Sequence, residues 1–149
     1  MKLQNKLSLN VAIDGIIAGL VLTIFLKVIQ FMSGYKVYTL LLNIDYLPIL
    51  KEFKFPEVVE VIFHLIVSAV LAIVLISIIQ RLPTVSTIRI ITFCVFISFI
   101  IGGLYFPTTI LSERTPSISS LPSLFYWMVG HVLYGSILGI LLAKRHWSR

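Results

Sequence analysis

The chain has 149 residues, of which 58% are hydrophobic and only 12% are charged, and its formal net charge is +6. Soluble domains carry roughly twice that share of charged residues, so the composition excludes an ordinary water-soluble domain. The basic residues lie beside long apolar runs, which favours contact with a lipid bilayer and argues against nucleic acid as a partner. The single cysteine, Cys94, excludes an intrachain disulfide and is expected to be a buried apolar residue.

Four apolar runs are each long enough to cross a hydrocarbon core of roughly 30 Å as a helix. We predict spans at about residues 11–32, 58–79, 90–111 and 121–143, within a single membrane domain that covers residues 1–149. The first run is longer than the core of a signal peptide and ends without a small-residue cleavage site, so we expect it to remain as a span. The predicted fold class is therefore all-α, a polytopic membrane protein with a bundle of four transmembrane helices.

The distribution of lysine and arginine predicts the orientation of these spans. Seven basic residues fall at the two termini and in the loop between the second and third spans: Lys2, Lys6, Arg81, Arg89, Lys144, Arg145 and Arg149. The basic residues of the other two loops are matched by acidic ones. Because short cytoplasmic loops are enriched in lysine and arginine, we predict that both termini are cytoplasmic and that the protein lies in the cytoplasmic membrane of a bacterium.

The outer loop, residues 33–57, is the longest segment predicted to lie outside the membrane. Its stretch from Val37 to Leu50 is apolar, carries Tyr38 and Tyr46, and is interrupted by Pro48. We therefore expect this stretch to lie along the outer membrane interface. The loop at residues 112–120 is rich in serine, threonine and proline, which is typical of a flexible connection.

Small residues recur at a spacing of four in three of the spans. They are Gly15 and Gly19 in the first span, Ser68 and Ala72 in the second, and Gly135 and Gly139 in the fourth. Helices in lipid associate through such faces because small residues let two backbones approach closely. Both glycine pairs fall in the predicted cytoplasmic half, so we expect the first and fourth spans to cross tightly there.

Five ionisable residues lie inside the predicted spans, where an unpaired charge costs several kcal/mol. They are Asp14, Lys27, Glu60, His64 and His131. Asp14 lies about one turn from the cytoplasmic end, within reach of lipid headgroups or of basic loop residues. Lys27 and Glu60 lie at similar depths near the outer end, so they are expected either to pair with each other or to extend to the interface.

His64 and His131 lie about two turns from the outer end of spans that run in the same direction. Helical spacing puts each on the face that carries the small residues, so both rings should face protein and bond a backbone carbonyl or a hydroxyl. A proton relay, a metal site or the two axial ligands of one haem are the functional alternatives. No phosphate-binding loop, paired-cysteine motif or nucleophile elbow is present, so we assign no catalytic residue, metal or cofactor and favour a non-enzymatic role.

An internal repeat and a family resemblance both involve the last span. The segments that begin at Phe63 and Gly130 align His64 with His131, which would fit a duplicated two-helix hairpin. The stretch from Trp127 to Ile140, in which His131 precedes a Tyr-Gly-x-x-x-Gly sequence, resembles the last span of the YagU and YqhR-like small bacterial membrane proteins. The resemblance implies four spans with a glycine-containing first span, and it implies no substrate or cofactor.

Three functions follow as hypotheses. The leading one is an interaction or accessory protein that packs through its glycine faces against itself, as a homo-oligomer, or against a larger membrane protein. The second is a small transporter or proton-coupled permeation unit that uses His64, His131, Glu60 and Lys27. The third is a redox subunit that holds one haem b between His64 and His131.

Overall fold

The structure, a computed structural model, describes residues 2–44, 53, 55–82 and 85–147, with side chains between Ser8 and His146. In chain order the elements are α1 (Lys2–Ser33), α2 (Val37–Leu42), α3 (Glu57–Ile79), α4 (Thr87–Tyr105), a 3₁₀ helix (Phe106–Leu111) and α5 (Leu121–Trp147). No strand occurs among these residues. Four helices, α1, α3, α4 with its 3₁₀ extension, and α5, are long and apolar enough to cross a membrane. The predicted all-α class and the four spanning helices are confirmed.

Local signals explain where two of the long helices end. α1 stops at Ser33 because Gly34 adopts a left-handed conformation, with φ 76°, and its N–H bonds the Gln30 carbonyl at 2.9 Å. The α-helical part of α4 ends at Tyr105, and Pro107 follows at the start of the 3₁₀ helix. Because proline has no N–H to continue the α pattern, the last part of this span tightens into 3₁₀ geometry.

The long helices pack in the order α3, α1, α5, α4. α1 lies against both α3 and α5, and α5 lies against α4. Within the described residues, α3 and α4 do not pack along each other, and a cleft lies between them. The short helix α2 packs on α1, α3 and α5 and closes the cleft at one end, which we call the capped end. The first residues of α1 and the last residues of α5 lie at the opposite end, the terminal end.

The small face of α1 packs against the small face of α3. A Cβ added at Gly15 would lie 2.7 Å from the carbonyl oxygen of Ser68 and 2.9 Å from the Cβ of Ala72, and one at Gly19 would lie 3.0 Å from the Ser68 side chain. These positions therefore tolerate only hydrogen, and the absence of a side chain is what lets the two backbones approach.

The small face of α5 packs against α4, not against α1. A Cβ at Gly135 would lie 2.6 Å from Val95 Cα, and one at Gly139 would lie 2.7 Å from Ile91 Cα. α1 and α5 do pack on each other, but the prediction that they cross tightly at these glycines was wrong. α1 meets α5 elsewhere, at Gly130, where a Cβ would lie 2.9 Å from the Leu22 side chain. Each glycine face packs on the neighbouring long helix in the chain, α1 on α3 and α5 on α4, as expected when consecutive elements lie side by side.

The predicted interfacial stretch is instead partly folded into the bundle. Val37 and Leu40 of α2 have no exposed surface, because the apolar side chains of α2 fill the opening at the capped end. The remainder of this stretch, with Tyr46 and Pro48, lies outside the described residues, as do the side chains of the basic residues at positions 2, 6 and 149. The outward surfaces of the long helices are apolar, and Phe31 and Leu104 are 91% and 74% exposed, as suits helices surrounded by lipid.

Candidate functional site

The cleft between α3 and α4 has a volume of about 140 Å³ and is open along one side. Its walls are mostly apolar, and it extends from α2 at the capped end to the level of Ser68, at the midpoint of α3, and Tyr134 of α5. We call this inner end, at Ser68 and Tyr134, the closed end of the cleft. A space of this size holds a few water molecules or one end of an apolar chain, the rest of which would extend through the open side. A haem held between the two histidines stays a prediction.

A polar stripe on α3 forms one wall of the cleft. Glu60, His64 and Ser68 are four residues apart, which places all three side chains on one helical face. His131 and Tyr134 of α5 complete the polar lining from the other side. The cleft therefore combines apolar walls with a few convergent polar groups, the usual make-up of a small-molecule site.

His131 is held in one orientation by its neighbours. Its Nδ1 lies 2.9 Å from the carbonyl oxygen of Trp127, and the two ring centroids are 4.4 Å apart. Because a carbonyl can only accept, Nδ1 carries the hydrogen and Nε2 of the neutral ring keeps its lone pair. A Cβ at Gly102 would lie 2.7 Å from His131 Cγ, so this glycine makes room for the ring beside α4.

His64 is arranged in a similar way on α3. Its ring lies beside the backbone of Gly19, and its Nε2 is shielded from solvent without a hydrogen-bond partner. Both rings face protein as predicted, and His131 bonds a backbone carbonyl; a bond of His64 to a carbonyl or a hydroxyl stays a prediction. In each hairpin the histidine of the second helix lies against a glycine of the first, Gly19 or Gly102, which fits the proposed internal repeat, although the repeat stays a prediction.

The hydroxyl groups at the closed end of the cleft all donate to protein oxygens. Ser68 Oγ donates to the Gly15 carbonyl at 2.7 Å, so it accepts from the Tyr134 hydroxyl, which lies 2.8 Å away. Ser98 Oγ of α4 donates to the His131 carbonyl at 2.8 Å. These bonds join α1, α3, α4 and α5 around the closed end of the cleft.

Two stacked aromatic rings line the cleft nearer the capped end. Trp127 is 1% exposed, stacks on Tyr105 with centroids 5.7 Å apart, and donates its indole N–H to the Gly102 carbonyl at 2.9 Å. The Tyr105 hydroxyl donates to the Asn43 carbonyl at 2.6 Å. The last turn of α4 is thereby tied to the residue that follows α2.

Glu60 pairs with Arg114 and not with Lys27. The guanidinium group makes two bonds to the Glu60 carboxylate, at 3.1 and 3.3 Å, and the Glu60 side chain is only 5% exposed. Residues 112–120, predicted to be a flexible connection, are therefore anchored on α3 by Arg114. Lys27 binds Glu57 at 2.6 Å instead. Of the two alternatives left open, the Lys27–Glu60 pair was wrong, because Glu60 points into the cleft whereas Glu57 lies on the exposed rim that the lysine can reach.

The pair at the rim also holds α2 in place. The Tyr38 hydroxyl donates to the Glu57 carboxylate at 2.6 Å, and Lys27 Nζ lies 5.2 Å from the centroid of the Tyr38 ring. Burial, followed by this bond to the carboxylate, raises the pKa of the Tyr38 phenol well above its ordinary value. The phenol therefore stays a donor at any physiological pH.

Asp14 lies at the terminal end, away from the cleft. Arg145 binds it through two hydrogen bonds, at 2.8 and 3.2 Å, and the Asp14 side chain is 3% exposed while that of Arg145 is 37% exposed. The expectation that Asp14 reaches a basic residue is confirmed, and the pair joins α1, about three turns from its start, to the last turn of α5.

Two residues that line the cleft were not predicted as site residues, although helical spacing indicated them. Trp127 and Tyr134 lie four residues before and three residues after His131, so helical spacing places all three on one face. Arg114 offered no such signal, because nothing in the sequence of a loop indicates which helix it will contact. Within the described ranges, no group of three or more histidine, cysteine, aspartate or glutamate side chains is placed to hold a metal ion.

Comparison of the chain with family models, curated proteins and solved structures finds no match, and the resemblance of its last span to the YagU and YqhR-like proteins stays a prediction.

Proposed function

We propose that this chain is a multi-pass protein of the bacterial cytoplasmic membrane, with both termini in the cytoplasm, that binds one small amphiphilic molecule in the cleft between α3 and α4. The observation that carries the proposal is the cleft itself, which is apolar at its mouth, polar at its closed end and open between two helices that do not pack together. Such a pocket is the default candidate for a binding site.

The mouth of the cleft favours entry from the lipid phase. Val67 of α3 and Ile101 of α4 line the cleft and are 64% and 40% exposed. Both lie within the helices that are apolar enough to span a membrane. A molecule dissolved in the bilayer would reach His64 and Tyr134 by passing only apolar side chains, without crossing water.

Binding explains the geometry better than permeation does. Toward the terminal end, the turns that follow Ser68 and Tyr134 are filled by Ala72, Leu75, Leu138 and Leu142, none more than 2% exposed. In the described part of the chain, this apolar layer separates the cleft from Asp14. The glycine faces are also buried between the two helices of each hairpin. They are therefore not exposed as the surface for another chain that the sequence analysis expected.

The topology predicts which labels will react. Cys94 is the single cysteine of the chain and has no exposed surface. In a Cys94→Ser, Ser119→Cys variant, the only thiol is therefore the one placed in the exposed loop between α4 and α5. A membrane-impermeant maleimide added to intact cells should label this variant fully, whereas Ser8→Cys in the same background should be labelled only after the cells are opened. Labelling of both variants, or of position 8 alone, in intact cells would overturn the proposed orientation.

Binding can be followed through Trp127. The chain has two tryptophans, so Trp147→Phe leaves only the one that lines the cleft. The probes are dodecanol brominated within its chain and the methyl ether of the same compound, added to the protein in nanodiscs. Because bromine quenches only at short range, the quenching of Trp127 fluorescence should saturate as the concentration of either probe rises.

Two phenylalanine variants test whether the quenching comes from the cleft. Val67→Phe places a larger side chain at the mouth of the cleft. Val70→Phe makes the same change at a position that is 55% exposed and does not line the cleft. The saturable component should disappear in the first variant and persist in the second. If neither brominated compound quenches saturably in the parent protein, the cleft is not a binding site.

A further inference from the structure

We infer that the cleft selects an electrically neutral amphiphile, such as a long-chain alcohol, ether or ester, over a cation of the same length, although an acidic side chain lines it. Arg114, a loop residue that does not itself line the cleft, sets this preference by neutralising Glu60. The inference rests on the proposed function of the cleft and identifies the class of molecule that it binds.

Glu60 is the only residue with an acidic or a permanently basic side chain among the described residues that line the cleft. Its side chain is 5% exposed, so water does little to screen it. The other polar groups of the lining are hydroxyls, an indole, the Asn43 amide and the imidazoles of His64 and His131. None of these carries a permanent charge. The charge that a bound molecule meets in the cleft is therefore decided at Glu60.

A cation bound along the polar stripe of α3 would lie close to this carboxylate. His64 and Ser68 follow Glu60 by four and eight residues on one helical face, which places them about 6 and 12 Å from it along the helix axis. Charges at such separations interact strongly where water is excluded. An unpaired carboxylate at position 60 would therefore attract a cationic headgroup into the cleft.

Arg114 largely cancels this attraction by pairing with both oxygens of the carboxylate. Its Nη1 donates to Oε1 at 3.1 Å, and its Nη2 donates to Oε2 at 3.3 Å. A guanidinium group stays charged at any physiological pH, so the pair has no net charge. A cation that entered the cleft would lose its hydration without gaining an unpaired counter-ion, whereas a neutral headgroup avoids this cost.

A second ion pair in the first turn of α3 offers a matched comparison. Glu57 binds Lys27 at 2.6 Å, but the two side chains are 54% and 58% exposed, and neither residue lines the cleft. Loss of the lysine would leave a carboxylate that water screens. Because the two pairs differ in burial, only the pair of Glu60 should control which charge the cleft accepts.

Competition against the quenching of Trp127 by the brominated methyl ether tests the preference. The unlabelled competitors are dodecyl methyl ether and dodecyltrimethylammonium, which share the chain length and both lack a hydrogen-bond donor. The protein is held in nanodiscs of zwitterionic lipid at about pH 9, which favours ionised carboxylates. In the parent protein, the ether should compete about tenfold better than the cation, since only the cation has to be desolvated as a charge.

Three variants assign the preference to Arg114. In Arg114→Gln, the cation should compete about tenfold better than in the parent protein, while competition by the ether stays the same. Lys27→Gln, the same kind of change at the exposed pair, should alter neither. Glu60→Gln combined with Arg114→Gln should restore the parent preference, because the lining is neutral again. Partitioning into the bilayer is the same for all variants, so their differences report the cleft.

Each failure has a separate meaning. Equal gains for the cation in Arg114→Gln and Lys27→Gln, or no gain in either, would overturn the role of Arg114. Equal competition by the ether and the cation in the parent protein would overturn the neutral preference, even if a variant fails to fold. A lack of saturable quenching by the brominated compounds in the parent protein would instead remove the proposed function itself.

Discussion

Gly135→Ala is expected to lower the free energy of unfolding by about 2–3 kcal/mol. The added Cβ would lie 2.6 Å from Val95 Cα and 2.8 Å from the Cys94 carbonyl oxygen. Both are backbone atoms of α4, so no side chain can rotate away and the two helices have to separate. Unfolding monitored by circular dichroism, during titration of the detergent-solubilised protein with a denaturing detergent, measures the loss.

Gly103→Ala is the matched control for this change. A Cβ at Gly103 would meet only the end of the Met128 side chain, at 4.0 Å, which is ordinary van der Waals contact. The same substitution should therefore cause no loss of stability, and the better helix propensity of alanine favours a gain of up to about 1 kcal/mol. Equal losses at positions 135 and 103 would show that helix contact is not what Gly135 provides, and would contradict the packing of α5 on α4.

The long helices could be predicted from the sequence because their signal is local. About 20 apolar residues in a row indicate a span wherever they occur, and Gly34 and Pro107 fall where the regular α-helices end. Helical spacing alone also indicated that His64 and His131 face protein. Trp127 and Tyr134 could have been added to the site by the same spacing, since they share a face with His131.

The neighbours of each helix could not be predicted in this way. A small face shows that another backbone approaches, but any helix satisfies it, and the glycines of the first and fourth spans each found a different partner from the one expected. The Lys27–Glu60 alternative was wrong for a related reason. Depth in the membrane placed Lys27 near Glu60, whereas rotation about the helix axis decided that Glu57 faces the lysine and Glu60 faces Arg114.

Arg145→Ala is expected to destabilise the protein by about 3 kcal/mol, and Asp14→Ala by clearly less. The two partners differ in burial, because the Asp14 side chain is 3% exposed and that of Arg145 is 37% exposed. Removing the arginine leaves a buried carboxylate unpaired among apolar side chains. Removing the aspartate leaves a guanidinium that can extend from the last turn of α5 to water or lipid phosphates.

Unfolding of the two single variants and of Asp14→Ala, Arg145→Ala together measures this asymmetry. The double variant should be more stable than Arg145→Ala alone, because removing the carboxylate also removes the cost of leaving it unpaired. If the two single variants lose the same stability, or if the double variant is the least stable of the three, then the burial of Asp14 does not determine the energy of the pair. The contact would then serve mainly to position α1 against the last turn of α5.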